Sequence, residues 1–180
     1  MRVLATGLLL AGGLTFSAIA FAKLSKTGGG AAGFHASGPA GMAIDGNTSD
    51  VSVSDDGTNV VVTVKLTGIK TGMDLRDEHT RKALETDKFP TTELKVARAN
   101  LKFPSGGESS GEATGSLKLH GQTKDVKFKY TATPRGDGFD VKADIKQLNM
   151  KQFGIEPPTY LGVGVKPEVD VSVSFSAKDG

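Results

Sequence analysis

The 180-residue chain has no cysteine and no tryptophan, only 6% aromatic residues and three histidines. Without cysteine there is no disulfide, no thiol nucleophile and no lipid-modified N-terminal cysteine, so stability must come from an apolar core alone. Charge of one sign is missing too. Lysine and arginine number 22 against 20 aspartates and glutamates, a formal net charge of +2. Basic residues are interleaved with acidic ones along the chain, which argues against nucleic acid as a partner and against a polybasic membrane-docking segment.

Long apolar runs are absent after residue 22. Before it, Arg2 is followed by VLATGLLLAGGLTFSAIA and then Ala20-Phe21-Ala22, which reads as a secretory signal peptide over residues 1–22, cleaved near Ala22. The alternative is a retained N-terminal anchor, because this stretch approaches the length that spans a bilayer. Cleavage predicts a periplasmic or secreted protein with no integral membrane segment in the mature chain. Residues 23–32, KLSKTGGGAA, are small and glycine-rich and read as a flexible leader, which leaves residues 33–180 as one domain.

From Phe34 onward the dominant period is two, the mark of strands with one buried face. In NVVVTVKL, Val60, Val62, Val64 and Leu66 share a face; Leu94 and Val96 follow in the next strand, then Leu117 and Leu119. Val126, Phe128 and Tyr130, then Phe139, Val141 and Ile145, and finally Val169, Val171, Val173 and Phe175 repeat the pattern. Turn residues at DDGTN, HGQTK and RGDG separate the strands at hairpin length. With GFHASG and GMAIDG read as one strand bent at Gly38-Pro39, about eight antiparallel strands result. That number pairs into a sandwich or closes into a barrel. The inward set is dominated by slender residues, which leaves a barrel of this size either filled or able to hold one small ligand.

The exception to period two is TGMDLRDEHTRKALETDKFP, residues 71–90, which predicts a short helix over residues 74–85. It concentrates Asp74, Arg76, Asp77, Glu78 and His79. Adjacent helical positions point about 100° apart, so Asp77, Glu78 and His79 cannot converge on one atom. The group therefore reads as a structural brace, with Asp74 capping the first turn and His79 a hydrogen-bonded structural histidine. Catalytic signatures are missing elsewhere. His35 and His120 lie in other elements and no metal-ligand spacing links the three histidines. Ser109-Ser110 lacks a strand-to-helix elbow, and no G-x-G-x-x-G opens a helix. No catalytic residue, cofactor or metal is expected. A second irregular stretch, QFGIEPPTYLGVGVKP, residues 152–167, is too proline-rich for a central strand and reads as a loop over one end, either lid or plug.

The ordered set TG, RDEH, KFP, LKLHGQTKDVKF and a strand leading into FGI resembles the YceI-like polyisoprenoid-binding family of secreted and periplasmic bacterial proteins. The resemblance implies an all-β, eight-stranded antiparallel, lipocalin-like barrel with an apolar tunnel for a long isoprenoid or similar amphiphilic lipid, and a binding protein, not an enzyme. The ligand-lining set then comprises Phe34 and the inward residues named above. A homodimer is left open as a partner. The competing readings are an envelope structural or stress-related protein with a filled barrel and a protein partner, and, behind it, a lipid-modifying enzyme.

Overall fold

The computed structural model describes residues 23–160 and 163–180; the segment read as a signal peptide lies outside them. Eleven strands are present among the described residues: β1 (Leu24–Ser37), β2 (Ala43–Thr48), β3 (Val51–Asp55), β4 (Asn59–Lys65), β5 (Thr91–Ala97), β6 (Ser109–Leu119), β7 (Gln122–Arg135), β8 (Gly138–Asn149), β9 (Thr159–Tyr160), β10 (Val163–Gly164) and β11 (Glu168–Asp179). One helix, α1 (Asp74–Ala83), links β4 to β5. Nine strands form a single antiparallel sheet in the order β2-β1-β11-β8-β7-β6-β5-β4-β3, and β9 and β10 make a separate small hairpin. The sheet curls into a nearly closed barrel.

The eight expected strands become nine for a local reason. Gly38-Pro39 does not bend one strand but reverses the chain. Pro39–Gly41 forms a 3₁₀ turn containing Ala40 and Gly41 at positive φ, so β1 and β2 pair as a hairpin with Phe34 opposite Gly46. The expected leader is corrected as well. Residues 24–32 are the first half of β1, paired along β11 with Leu24 opposite Asp179 and Ala32 opposite Val173, and Leu24 is buried. Glycine there serves close approach, not mobility: a Cβ on Gly30 would stand 2.8 Å from the Cβ of Val51 in β3. The register of β1 against β11 also shifts between Lys26 and Gly30, a bulge that bends the strand.

That approach closes the barrel, because β3 and β1 share no ladder of backbone hydrogen bonds. Side chains complete the seam. Asp55, fully buried, accepts from the Leu24 amide at 2.8 Å and from the Gly57 amide at 2.7 Å. The Arg98 guanidinium reaches both Asp55 and Asp179, and lies 4.2 Å from the centre of the Phe103 ring. One arginine thus ties β3 to the last strand, a buried pair whose remaining lone pairs are satisfied by backbone amides.

Alternation sets which side chains enter the barrel, and size sets what they leave empty. At the Arg98 end, Tyr130, Phe139, Phe175, Leu24 and Val60 pack to near exclusion of solvent, and only a void of about 60 Å³ remains. The Tyr130 hydroxyl is satisfied there by accepting from the Lys102 amide at 2.7 Å. The opposite half carries valine, alanine and leucine at the equivalent positions and is hollow. Lys65, Lys118, Lys127, Lys129 and Lys142 point outward, exposed.

Candidate functional site: an apolar cavity beneath a helix

The hollow half encloses about 780 Å³, within the size range of sites that bury a whole small ligand. Its walls come from every quarter of the barrel: Val62, Val64 and Leu66 from β4 and its exit, Leu94 from β5, Leu117 and Leu119 from β6, Phe128 from β7, Ile145 from β8, Val169, Val171 and Val173 from β11, and Phe34 from β1. Those twelve were expected to face inward toward a ligand. Val60, Val96, Tyr130, Phe139, Val141 and Phe175 also face inward, but they belong to the filled half and border only the small void. Val126 shares their strand face, yet packs against the core and lines neither space. Period two identifies a face; it carries no information about height along the barrel axis.

Several wall residues lie outside the expected set. Ala32 and Ala36 continue the alternation of Phe34 backward and forward along β1, a signal readable in the sequence once residues 23–32 are not set aside as leader. Ile44, Ala143 and Leu148 complete the strands. Ile155, Pro158 and Val165 come from the 152–167 stretch. That stretch begins in a 3₁₀ turn, Met150–Phe153, ended by Gly154 at φ 71°, and is pinned by Phe153 and Ile155, which are almost wholly buried. Its far end is fixed to β1 by the Lys166 amide donating to Ser37 at 2.8 Å. It is at once packed into the core and part of the cavity roof.

Helix α1 lies across the mouth. It ends at Ala83, not at residue 85, because Glu85 adopts φ 46° and the Thr86 amide returns to the Arg81 carbonyl at 3.1 Å. Spacings of three and four place Leu75, Arg76, His79, Thr80 and Ala83 on the face that looks into the cavity. The five residues expected to act together as a brace are therefore divided. Asp74 does not cap the helix: Met73 occupies the N-cap position with no side-chain cap, and Asp74 and Glu78 are exposed. His79 is exposed at the mouth and makes no hydrogen bond among the described residues, because position 79 shares the face of Leu75.

Asp77 is the brace. Its side chain is 2% exposed, and Oδ1 accepts from the Thr71 amide at 2.6 Å and from the Thr71 hydroxyl at 2.7 Å, with Lys70 Nζ 3.2 Å from Oδ2. The Thr71 hydroxyl and amide, aided by Lys70, hold its carboxyl down at about 2, outweighing burial. Arg76 supports the same turn by donating from Nη2 to the Thr71 carbonyl. A second fastening lies on the β6–β7 turn, where His120 and Gly121 both take positive φ. His120 Nδ1 is 3.1 Å from the Phe153 carbonyl and Nε2 is 3.0 Å from Glu85 Oε2, with the ring against Phe89. Helix exit, hairpin turn and roof loop are thereby joined. His35 pairs with Asp45 at 2.7 Å on the barrel exterior, so the three histidines do not converge.

Polar wall groups are few: Thr48, Arg76, His79, Thr80, Thr92, Thr159 and Ser172, with no carboxylate among the described residues. No cluster of three or more metal-ligating side chains occurs among them either, and no described helix is long and apolar enough to cross a membrane. A nearly closed antiparallel barrel, plugged at one end and hollow and apolar at the other, belongs to the class of barrels whose interior has room for one small molecule. Residues 20–177 match the family model described as YceI-like domain, and the chain belongs to that family. A UPF0312 protein of Pseudomonas putida strain W619 is 33% identical over 123 residues, covering 63% of this chain and 61% of that protein. Another from Pseudomonas savastanoi pv. phaseolicola is 31% identical over 140 residues, covering 73% of this chain and 68% of the relative. The chain thus spans about three fifths of the length of the first of these relatives. Among solved structures, a polyisoprenoid binding domain from Saccharophagus degradans implicated in plant cell wall breakdown superposes with a TM-score of 0.72 at 13% identity, covering 88% of this chain and 99% of that one. Burkholderia cenocepacia BcnA superposes at 0.67, also at 13% identity, over 83% and 96%. At these identities the likeness is one of fold.

Proposed function

We propose that this protein sequesters a polyisoprenoid or similar long amphiphile, tail inward, in the barrel cavity, and does so outside the cytoplasm in the periplasm or as a secreted protein. The observation that carries the reading is the 780 Å³ apolar cavity in a barrel that is otherwise well packed. A void of that size, left open by slender side chains, gives up dispersion contacts that a filled core would keep. Apolar burial restores them: each CH₂ brought in from water contributes about 0.8 kcal/mol. Membership in the YceI-like family and the fold shared with a polyisoprenoid binding domain support the same ligand class. Export is supported by the leader-like pattern of residues 1–22.

A filled structural barrel accounts less well for a hollow half whose mouth is roofed by a helix and an anchored loop. Catalysis is disfavoured by the cavity wall, where Arg76 and His79 are the only ionisable groups among the described residues and no carboxylate accompanies them. Native mass spectrometry of protein purified without detergent is the test. A bound species in the mass range of a long-chain lipid, removed by solvent extraction and regained on adding a polyprenol, is the expected result. Protein that carries no lipid and takes up none would overturn the reading.

A further inference from the structure

Among the few polar groups of the cavity wall, one carries a charge without a counter-charge among the described residues. Arg76 projects from the first turn of α1 into the mouth. Its Nη2 is spent on the Thr71 carbonyl, a neutral acceptor. Its Nε–H is buried and has no acceptor among the described residues, and none of the described ion pairs includes it. The nearest acid along the helix, Asp77, is engaged with Thr71 and Lys70. Buried donors without partners and buried charges without counter-ions are rare because each costs free energy. Arg76 lines the cavity with no counter-ion among the described residues, so a counter-charge can come from the ligand. His79 and Thr80, on the same face, add an imidazole and a hydroxyl beside it.

We infer that Arg76, with His79 and Thr80, forms a headgroup subsite for an oxyanion, a carboxylate or a phosphate, at the end of the apolar tail. This rests on the tail-binding reading above and adds selection by head chemistry to selection by slenderness. The guanidinium keeps its hold on Thr71 through Nη2 and offers its remaining accessible N–H groups to the anion, a charge-assisted hydrogen bond at the rim of the cavity. A neutral alcohol gains only an ordinary hydrogen bond, and an ammonium meets like charge. The roof loop and Phe34 wall then enclose the tail while the head stays at the rim, beside the exposed Met73 and Leu75.

The test holds the tail constant. Delipidated protein is offered hexadecanoate, hexadecan-1-ol and hexadecylamine in competition, and bound species are counted by native mass spectrometry. Hexadecanoate is expected to exceed the alcohol by about tenfold or more, the scale of one charge-assisted hydrogen bond, and the amine to bind least. Arg76→Met should bring the carboxylate-to-alcohol ratio near one while alcohol binding persists, and Arg76→Lys should retain part of the preference. Should Arg76→Met fail to fold because Thr71 loses its donor, the wild-type ratio and its fall in the folded Arg76→Lys protein carry the test. Equal uptake of acid and alcohol by the wild type, or an undiminished preference in Arg76→Met, overturns the headgroup subsite and leaves tail binding standing. Exclusion of all three probes overturns both. Hexadecyl phosphate against hexadecanoate then distinguishes phosphate from carboxylate heads.

Discussion

Two residues show how much a single position decides. Asp77 contributes as a carboxylate: its folded value of about 2 lies below the ordinary 3.8, so the folded state binds its proton later than the unfolded chain does. A depressed carboxyl contributes stability that is fully present above the unfolded value and is lost as pH falls through the folded one. Wild-type Tm should therefore drop between about pH 4 and pH 2. Asp77→Asn should start lower at pH 7 and lose less over that window, with thermal melts at both ends of the range as the check. Gly46 decides shape instead. It sits opposite Phe34, and a Cβ there would lie 2.3 Å from the Phe34 ring. Gly46→Ala must push that ring into the cavity or off the strand, an overpacking strain of about 1–3 kcal/mol that urea denaturation would register.

At the level of elements, α1 forms part of the cavity wall and presents three different faces. Its outer face holds Asp74 and Glu78 in solvent, its buried edge holds Asp77, and its inner face presents Leu75, Arg76 and His79 to the mouth. Leu75 is 63% exposed, so it contributes little to packing and much to the apolar character of the entrance. Leu75→Glu should leave stability within about 0.5 kcal/mol while slowing uptake of a polyprenol several-fold. Equal uptake rates in stopped-flow measurements would place the entrance elsewhere. The existence of this helix was legible from the break in period two at residues 71–90, but its role was not. Adjacent charges correctly argued against convergence on one atom, yet they could not say which of those charges faced a cavity. The β8–β11 pair adds a similar case. Gln147, at φ 53°, forms a bulge whose amide donates to Asp170 at 2.9 Å, which with Lys146 lowers the Asp170 carboxyl. Nothing in the alternation of that strand announces the extra residue.

For the molecule as a whole, the decisive property is that one barrel is filled below and empty above. Phe103, Tyr130, Phe139 and Phe175 collect at the Arg98 end, whereas the cavity wall is mostly aliphatic, with Phe34 and Phe128 its aromatic residues. Enlarging a residue in the empty half distinguishes a true cavity from a loosely packed core. Val171→Phe should lower lipid stoichiometry and leave Tm unchanged or raised, whereas in a filled core the same change would cost about 1–3 kcal/mol. Calorimetry and native mass spectrometry on one preparation read both outcomes.

Most strands, their inward faces and the all-β class followed from the chain alone, because period two and turn chemistry are local and each strand carries its own copy of the signal, whereas the choice of barrel over sandwich did not. The inward faces of β4, β7, β8 and β11 are cases in point. What waited on tertiary structure was everything set by distance between remote residues. Gly30 could be told from a linker glycine only by Val51 standing against it, and Asp55 from any loop aspartate only by Leu24 and Arg98 arriving from other strands. Likewise the division of eighteen inward residues between a plug and a cavity depends on their height along the barrel. That height is fixed by register and shear across nine strands, which no single strand encodes.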